Sequence, residues 1–263
     1  MIDRLMPRGL DISDGPGFTQ LLRSLHLEPT WPNTNADLSS LDAPEATTVL
    51  SARFQNGVVM VGDRQATEGY SVAHRRMQKV FPTDHLSVVA ISGTAGLALD
   101  MVRLFQTELE HYEKLEGARL SLDGKATYLA RMVRQQLPMA FQGLVVVPLF
   151  AGYDELKETG RLFTFDVVGG RYEEHDFGAT GSGSREARSY LRNRYQPDLP
   201  EEEALELVMA ALVAASEEDV ATAGPDPRRD IYPTVVTVTA SGYRELDDVE
   251  IEPIARAALE AVR

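Results

Sequence analysis

Short runs of β-branched and apolar residues dominate two parts of the chain after residue 46 and predict two groups of strands. Asn56-Gly57 separates the first two runs, which is a strong signal for a hairpin. Because both groups contain long apolar stretches, we expect their strands to be buried between layers. The predicted strands are Thr47–Phe54, Val58–Asp63, Arg75–Phe81, Leu86–Ser92, Leu144–Gly152, Leu162–Val168, Arg171–Phe177 and Thr234–Ala240.

Helical periodicity separates the two strand groups and returns after the second one. Apolar residues at three- and four-residue spacing predict a long helix over Ala95–Leu115. The other predicted helices are Lys125–Gln142, Ser184–Arg194, Glu201–Glu218 and a closing helix near Pro253–Val262. The order is strands, two helices, strands, two helices. Two sheets packed face to face, with the helices outside them, would satisfy every buried face.

Residues 1–46 have a different pattern from the rest of the chain. Proline, asparagine, aspartate and serine crowd residues 29–44, and only Phe18–Leu27 has the spacing for a helical turn or two. Such a segment packs poorly by itself, and a tail without function is one interpretation of it. The full length of 263 residues accommodates one large domain or two small ones.

Composition and charge exclude several classes of function. The net charge of −14 argues against binding to nucleic acid or to an anionic membrane, since both need clustered positive charge. No apolar run reaches the ~18 residues of a transmembrane helix, and the first residues lack a secretory pattern. The chain contains no cysteine, which removes disulfides and thiolate nucleophiles and fits a reducing compartment. We therefore expect a cytoplasmic globular protein.

Several common catalytic patterns are missing from the sequence. There is no Gly-x-Ser-x-Gly elbow and no glycine-rich phosphate-binding motif. The histidines are scattered without the spacing of a zinc site, and we interpret them as surface or loop residues. They are His26, His74, His85, His111 and His175. The sequence therefore predicts neither a metal nor a cofactor.

Thr47, Asp63 and Lys79 form the remaining candidate group. Lys79 lies among bulky apolar residues in a predicted strand, so its ammonium must be paired or must reach solvent. Asp63 ends the second strand of the hairpin and is returned towards Thr47, although a strictly regular register places the two side chains on opposite faces. A structural ion pair between Asp63 and Lys79 is one interpretation of this spacing, and a catalytic group is the other.

Cleavage of the chain before Thr47 would give this group a definite chemistry. A free α-amine has a pKa near ~8, so it is a competent base on the residue whose hydroxyl must lose a proton. An N-terminal threonine thus combines nucleophile and base. A nearby Lys79 ammonium would disfavour protonation of the amine and stabilise the alkoxide, and Asp63 would hold the lysine in position. This constellation needs no histidine, cysteine or metal.

Two glycine-rich turns join strands to helices. Ser92-Gly93-Thr94 precedes a long helix, where backbone N–H groups point outward, and Gly93 would let a substrate carbonyl approach closely. A donor of this kind is worth ~3 kcal/mol in a transition state. Taken alone, this is an ordinary strand–helix turn with a Thr94 cap. Gly181-Ser182-Gly183-Ser184 by itself indicates only a tight turn and a serine cap.

These segments together resemble the proteasome β-subunit family, especially its actinobacterial branch. The resemblance covers Thr47–Arg263, and five motifs occur in the family's order and spacing. They are Ala46–Leu50, Gly57–Arg64, Arg76–Phe81, Ile91–Gly96 and Gly181–Ser184. Glu110–Gly117 and Gln142–Asp154 also resemble that branch. A shared Gly-Ser-Gly-Ser would be weak evidence, whereas five motifs in order are strong.

The resemblance implies an N-terminal nucleophile hydrolase fold, an α+β four-layer αββα sandwich, in agreement with the predicted layers. It implies that residues 1–46 are a propeptide removed autocatalytically on assembly and that residues 47–263 form the β-subunit domain. By the same resemblance, Thr47 is the nucleophile and its amine the base, while Asp63 and Lys79 activate it. Gly93 would donate to the oxyanion, and Ser182 would belong to the hydrogen-bonded cluster around the amine.

The resemblance also implies how substrate is held. Thr67 and Ala95 would align the substrate backbone as a strand added to the cleft edge. Four further positions match those that line the primary specificity pocket, and they are Ala66, Met77, Ile91 and Leu99. Since all four are apolar, we predict a preference for an apolar residue before the scissile bond.

An assembly is implied by the family as well. Relatives form a barrel of stacked heptameric rings, α7β7β7α7, in which separate α subunits lie outside the β rings. Ring-shaped ATPases supply this barrel with unfolded proteins, and its closed chamber degrades them processively. The resemblance therefore predicts α subunits, other β subunits and an ATPase as partners of this chain.

Two departures from the family pattern bear on activity. Ala46 stands where the family usually has glycine, so we expect slow self-cleavage. Where the family has Asp-x-x-Ser beside the amine, we align Glu217–Val220, in which valine cannot form a hydrogen bond. These departures favour a catalytically silent subunit that only builds the ring, whereas the retained Thr47, Asp63, Lys79 and Gly93 favour an active peptidase. The related two-component bacterial peptidase that begins with Thr-Thr is a weaker interpretation, because its chain is shorter and lacks a long propeptide.

Overall fold

Two five-stranded antiparallel sheets and one two-stranded ribbon form the centre of the computed structural model, which describes residues 47–68 and 71–262. The strands are β1 (Thr48–Phe54), β2 (Gly57–Gly62), β3 (Ala66–Glu68), β4 (Ser71–His74), β5 (Val80–Asp84), β6 (Ser87–Gly93), β7 (Val146–Asp154), β8 (Thr159–Phe165), β9 (Arg171–Glu174), β10 (Phe177–Gly181), β11 (Thr234–Thr239) and β12 (Gly242–Glu245). The helices are α1 (Ala95–Glu116), α2 (Leu122–Gln135), α3 (Leu137–Ala140), α4 (Ser184–Arg194), α5 (Glu201–Glu218) and α6 (Asp248–Ala261).

The strand order shows how the chain is divided between the sheets. The first sheet has the order β10-β1-β2-β11-β12, the second has the order β5-β6-β7-β8-β9, and β3 pairs with β4 alone. Sequence neighbours pair through hairpins, as in β1–β2 and β7–β8. Other pairings join remote strands: β2 pairs with β11, and β10, which follows β9 along the chain, pairs with β1 in the other sheet.

Alternating side chains on the strands create three hydrophobic layers. Along β1, Val49 points into the space between the sheets, while Leu50 points towards α4, α5 and α6. Along β6, Val88 points between the sheets and Val89 points towards α1 and α2. The order of layers is therefore helices, sheet, sheet, helices. The predicted arrangement of two facing sheets with helices outside is confirmed.

Several predicted boundaries differ from the structure because of local capping. The helix predicted from Lys125 begins at Leu122, where the Ser121 hydroxyl accepts the Gly124 N–H at 3.1 Å, and it ends at Gln135 before the short α3. The closing helix begins at Asp248 rather than near Pro253. A reciprocal capping box between Asp247 and Glu250 fixes that start, and Pro253 lies inside the helix.

Other differences concern strands. The strand predicted over Arg75–Phe81 begins only at Val80, because the Met77 N–H donates to the carbonyl of Arg64 at 2.9 Å instead of joining β6. The predicted Arg171–Phe177 is two strands in different sheets. The strands β3, β4 and β12 were not predicted. The propeptide prediction and the helical turn predicted at Phe18–Leu27 lie outside the described residues.

Within the described part of the chain, the helices are too short or too polar to span a membrane.

Candidate active site

Thr47 lies directly before β1 and is buried. Its carbonyl accepts the N–H of Ser182 at 3.0 Å, which holds the start of β1 against the end of β10. Gly181 makes this approach possible, since a Cβ there would lie 1.6 Å from the Thr47 carbonyl oxygen and its φ is +102°. The Gly-Ser-Gly-Ser turn is therefore attached directly to the residue predicted to be the nucleophile.

Asp63 lies at the end of β2, directly opposite Thr48. Its N–H donates to the Thr48 carbonyl at 3.1 Å, and its Oδ1 accepts the Thr48 N–H at 2.9 Å. The regular register thus places the Asp63 side chain on the same face of the sheet as the Thr48 side chain. The Thr47 side chain lies on the opposite face. Its carboxylate therefore contacts the peptide group that joins Thr47, the predicted nucleophile, to Thr48.

Lys79 lies beside this carboxylate, one residue before β5. Its Nζ is 2.6 Å from Asp63 Oδ1 and also donates to the carbonyl of Gln65, and only 1% of Lys79 is exposed. The other carboxylate oxygen of Asp63 accepts the N–H of Gln65 at 3.1 Å and of Ala223 at 3.4 Å. The predicted pair is therefore present, and three backbone N–H groups support its anion.

Burial affects both members of this pair. It lowers the pKa of Lys79, and the nearby Asp63 carboxylate opposes that effect. Burial also raises the pKa of Asp63, while Lys79 and the backbone N–H groups of Thr48 and Gln65 act in the opposite direction. The charge of each residue therefore depends on contact with the other, so neither can be removed without changing the second.

A second polar cluster contacts Thr48 through its hydroxyl. Ser182 Oγ and Thr222 Oγ1 both donate to Asp219 Oδ2 at 2.6 Å. Asp219 follows the last residue of α5, and its Oδ1 accepts the Ala221 N–H at 3.1 Å. Ser182 is thus in contact with a carboxylate supplied by a distant segment of the chain.

This cluster corrects the sequence alignment near the amine. We expected Glu217 and Val220 at the positions of the family's Asp-x-x-Ser, but the carboxylate and hydroxyl are those of Asp219 and Thr222. Val220 is 90% exposed, so its missing hydroxyl has no bearing on Ser182. The spacing Asp-x-x-Thr was visible in the sequence, and the adjacent pair of glutamates in α5 obscured it.

Gln65 and Thr48 are two residues that the sequence reasoning missed. The Gln65 side chain donates to the Val220 carbonyl at 3.2 Å, while its backbone contacts both Asp63 and Lys79. Gln65 therefore connects the ion pair to the turn after α5. Thr48 connects the same turn to the start of α4, through its hydroxyl. No local sequence signal marks either contact, because the partners are remote along the chain.

Gly93 ends β6 with φ +101°, and a Cβ there would lie 2.0 Å from the carbonyl oxygen of Val145. The Thr94 N–H donates to that same carbonyl at 2.7 Å, so the neighbouring Gly93 N–H points to the opposite side of β6. On that side the Ile91 N–H donates to the Lys79 carbonyl at 3.0 Å. The Gly93 N–H therefore points to the side of β6 on which β5 lies. At the level of Gly93 no residue of β5 stands opposite, because β5 begins only at Val80, next to Lys79. Thr94 is the N-cap of α1 by position, but its side chain forms no capping bond.

The six residues predicted to contact substrate lie in β3, in the segment before β5, in β6 and in α1. Ala66 and Thr67 lie in β3, which begins three residues after Asp63. Met77 is bonded through its N–H to Arg64, and Ile91 is bonded through its N–H to Lys79. The remaining two, Ala95 and Leu99, lie in the first two turns of α1 after Gly93.

Among the residues that the structure describes, no group of three or more His, Asp or Glu side chains is placed to hold a metal ion.

Comparisons with known proteins agree on one family. A family model described as Proteasome subunit matches residues 44–225. The chain is 56% identical over 221 residues to Proteasome subunit beta of Streptomyces griseus subsp. griseus, covering 84% of this chain and 79% of that protein. It is 50% identical over 249 residues to Proteasome subunit beta of Acidimicrobium ferrooxidans, covering 95% and 91%. A third such protein, from Acidothermus cellulolyticus, is 51% identical over 255 residues, covering 94% and 88%.

Proposed function

The chain belongs to the proteasome subunit family, and from that premise we propose that it is an active threonine endopeptidase with Thr47 as its nucleophile. The family membership and the N-terminal nucleophile hydrolase fold expected from the five sequence motifs are confirmed by these matches. The observation that carries the proposal is the buried Asp63–Lys79 pair, which contacts the Thr48 amide directly after Thr47.

The first step is removal of residues 1–46, which converts the amide nitrogen of Thr47 into a free amine. This amine then takes the proton of the Thr47 hydroxyl as Oγ attacks the substrate carbonyl. The tetrahedral intermediate collapses to an ester on Thr47 as the peptide C–N bond breaks, and the leaving amine takes a proton from the ammonium. Water, deprotonated by the same amine, then attacks the ester. As the bond between the acyl carbon and Thr47 Oγ breaks, Oγ takes the proton from the ammonium, and the second product leaves as a carboxylic acid.

The remaining site residues have supporting roles in these steps. The positive charge of Lys79, held by Asp63, favours the neutral amine and the developing alkoxide on Thr47. The Gly93 N–H would donate to the oxyanion. The alternation of hydrogen bonds along β6 supports this role, because it directs the Gly93 N–H away from β7. Ser182, bound to Asp219, would hold the amine in place.

Specificity is proposed from the residues around the cleft. Ala66, Met77, Ile91 and Leu99 are apolar, so the pocket would accept an apolar side chain before the scissile bond. Thr67 and Ala95 would hold the substrate backbone as an additional strand.

The assembly is proposed from the family. The chain would form heptameric β rings that stack with rings of α subunits as α7β7β7α7 in the cytoplasm. A ring-shaped ATPase would deliver unfolded proteins, which the enclosed sites would degrade processively. Enclosure would restrict hydrolysis to proteins that have been unfolded and delivered into the chamber.

A catalytically silent subunit of the same barrel is the second candidate. Ala46, where the family usually has glycine, favours it, and this residue lies outside the described residues. The interpretation as an active subunit is supported by the hydrogen bonds of Ser182 and Thr222 to Asp219, which supply a carboxylate and a hydroxyl without Glu217 or Val220.

The proposal is tested by replacing Thr47 with alanine in particles assembled with α subunits. We expect peptide hydrolysis to fall to background in the T47A particle. Thr107→Ala is the matched control, because Thr107 is exposed on α1 and its hydroxyl bonds only within that helix, so this variant should keep full activity. Undiminished turnover by assembled T47A particles would remove Thr47 from the reaction. An inactive parent particle would favour the silent subunit.

A further inference from the structure

Thr48 has a fully buried side chain whose hydroxyl lies between two turns. Its Oγ1 accepts the N–H of Gly183 at 2.9 Å, in the turn that carries Ser182 into α4. The same oxygen is 2.5 Å from Thr222 Oγ1, in the turn after α5. A single hydroxyl therefore contacts both segments that supply the cluster beside Thr47.

The number of protons fixes the direction of these hydrogen bonds. A threonine hydroxyl has one hydrogen to donate, and Thr222 uses its hydrogen on Asp219. The hydrogen bond between the two threonines must then be donated by Thr48. The sequence of donors is therefore Gly183 N–H to Thr48, Thr48 to Thr222, and Thr222 to Asp219.

The direction of the Ser182 hydroxyl follows in the same way, because serine also has a single hydroxyl hydrogen. Its hydrogen is donated to Asp219, so its oxygen can only accept any further hydrogen bond. An amine at Thr47 has hydrogens to donate and one lone pair with which to act as a base. Acceptance of an amine hydrogen by Ser182 leaves that lone pair available for the Thr47 hydroxyl. The cluster thus has one arrangement that suits an N-terminal amine.

Close packing adds to this constraint. A Cβ at Gly183 would lie 2.8 Å from Thr48 Oγ1 and 2.7 Å from Thr222 Oγ1, so the glycine allows the three groups to meet. Ser182 and Asp219 belong to separate elements, 37 residues apart in the chain. Thr48 bonds to both turns and thereby supplements the direct hydrogen bond between Ser182 and Asp219, which also joins them.

We propose that Thr48 is a positioning residue of the reaction: its buried hydroxyl ties the Ser182–Gly183 turn to Thr222 and Asp219 and so aims Ser182 at the amine of Thr47. This inference rests on the proposed function. It assigns to the second threonine of the Thr47-Thr48 pair a role that does not involve contact with substrate. The role depends on the hydroxyl and not on the shape of the side chain.

The test compares two substitutions of Thr48 in assembled particles. Thr48→Val keeps the shape and removes the hydroxyl, whereas Thr48→Ser keeps the hydroxyl. Rates are expressed per subunit that intact mass shows to begin at Thr47, so that slow processing is not counted as slow hydrolysis. We expect T48V to lower kcat at least about tenfold with KM almost unchanged, because misplaced catalytic groups reduce the rate and not the binding of substrate. T48S should stay within about twofold of the parent, because its hydroxyl keeps the same geometry.

The pH profile separates positioning from loss of structure. Acceptance of an amine hydrogen by Ser182 favours the ammonium form and raises the pKa of the amine. Loss of that contact in T48V should move the acid limb of the kcat profile to lower pH, and T48S should leave it in place. Equal kcat and an unchanged profile in T48V would overturn the proposal, as would a T48S particle as slow as T48V.

Thr222 supplies a second pair of variants in case T48V does not assemble. Thr222→Val removes the same link from the other side, and Thr222→Ser retains it. We expect T222V to reproduce the loss of kcat. If both valine variants fail to assemble while both serine variants assemble and work, the hydroxyls are needed for folding and the positioning role is wrong. The T47A particle is assayed in parallel, so failure of the proposed function itself would appear as residual T47A activity, whatever the Thr48 variants do.

Discussion

Replacement of Lys79 by methionine tests the buried ion pair most simply. Methionine preserves the length of the side chain but leaves the Asp63 carboxylate without its cation, and neither side chain is more than 1% exposed. Removal of one partner from a buried pair costs roughly 3–5 kcal/mol. Three backbone N–H groups still donate to Asp63, which places the expected loss near the lower limit, at about 3 kcal/mol. For a chain of this size such a loss lowers Tm by roughly 6–12 °C.

The pH dependence of this loss has a definite sign. Without Lys79, burial raises the pKa of Asp63 with less opposition than in the parent. A raised pKa means that the folded state binds the proton more tightly than the unfolded chain, so stability is gained as the pH falls. The deficit of K79M relative to the parent should therefore shrink between pH 8 and pH 5.

Thermal unfolding of the unassembled full-length chain, followed by circular dichroism, measures both effects. All variants carry Thr47→Ala to prevent self-cleavage during the assay. Lys157→Met is the control, because this lysine is exposed and forms no salt bridge among the described residues, and its Tm should stay close to that of the parent. A K79M chain as stable as K157M at pH 7.5, or a deficit that grows as the pH falls, would refute the reasoning.

Three further predictions follow from the structure. Gly93→Ala should abolish peptide turnover and reduce the yield of assembled particle, because its Cβ would lie 2.0 Å from a backbone oxygen; wild-type yield and rate would contradict this. Fluorogenic peptides with Leu or Tyr before the cleaved bond should be hydrolysed faster than one with Arg, and the opposite order would remove the apolar pocket. Arg161→Met should lower the free energy of unfolding by about 2 kcal/mol, because the buried guanidinium binds three carboxylates, two of them partly exposed. Arg256→Met breaks one exposed pair and should change Tm little.

The fold could be predicted where its signals are local. The bounds of α4 and α5 agree with the helices predicted from Ser184 to about Arg194 and from Glu201 to about Glu218. Gly183 directly precedes α4, while Pro200 and three glutamates mark the start of α5. The starts of both helices are therefore signalled by neighbouring residues in the sequence. The hairpin at Asn56-Gly57 was predicted for the same reason.

Predictions failed where a contact joins remote segments. The sequence predicts one strand over Arg171–Phe177, but it does not show that β9 ends at Glu174 and that a separate strand, β10, pairs with β1 in the other sheet. In the site, the Asp63–Lys79 pair was predicted because a lysine among apolar residues needs a partner. The contact between Thr48 and Thr222 spans 174 residues, and threonine in a strand has an ordinary explanation as a β-branched residue. The residues around Thr48 do not show whether it is an ordinary strand residue or one whose hydroxyl bonds to a remote turn.

The most direct test of the account is the intact mass of the subunit purified from assembled particles, before and after treatment with a peptide epoxyketone. The account predicts that the chain begins at Thr47, without residues 1–46, and that it gains the mass of one inhibitor molecule. The T47A particle should gain none. A subunit that keeps its full-length mass in a complete particle, or one that begins at Thr47 but never reacts, would contradict the claim that this threonine is both nucleophile and base.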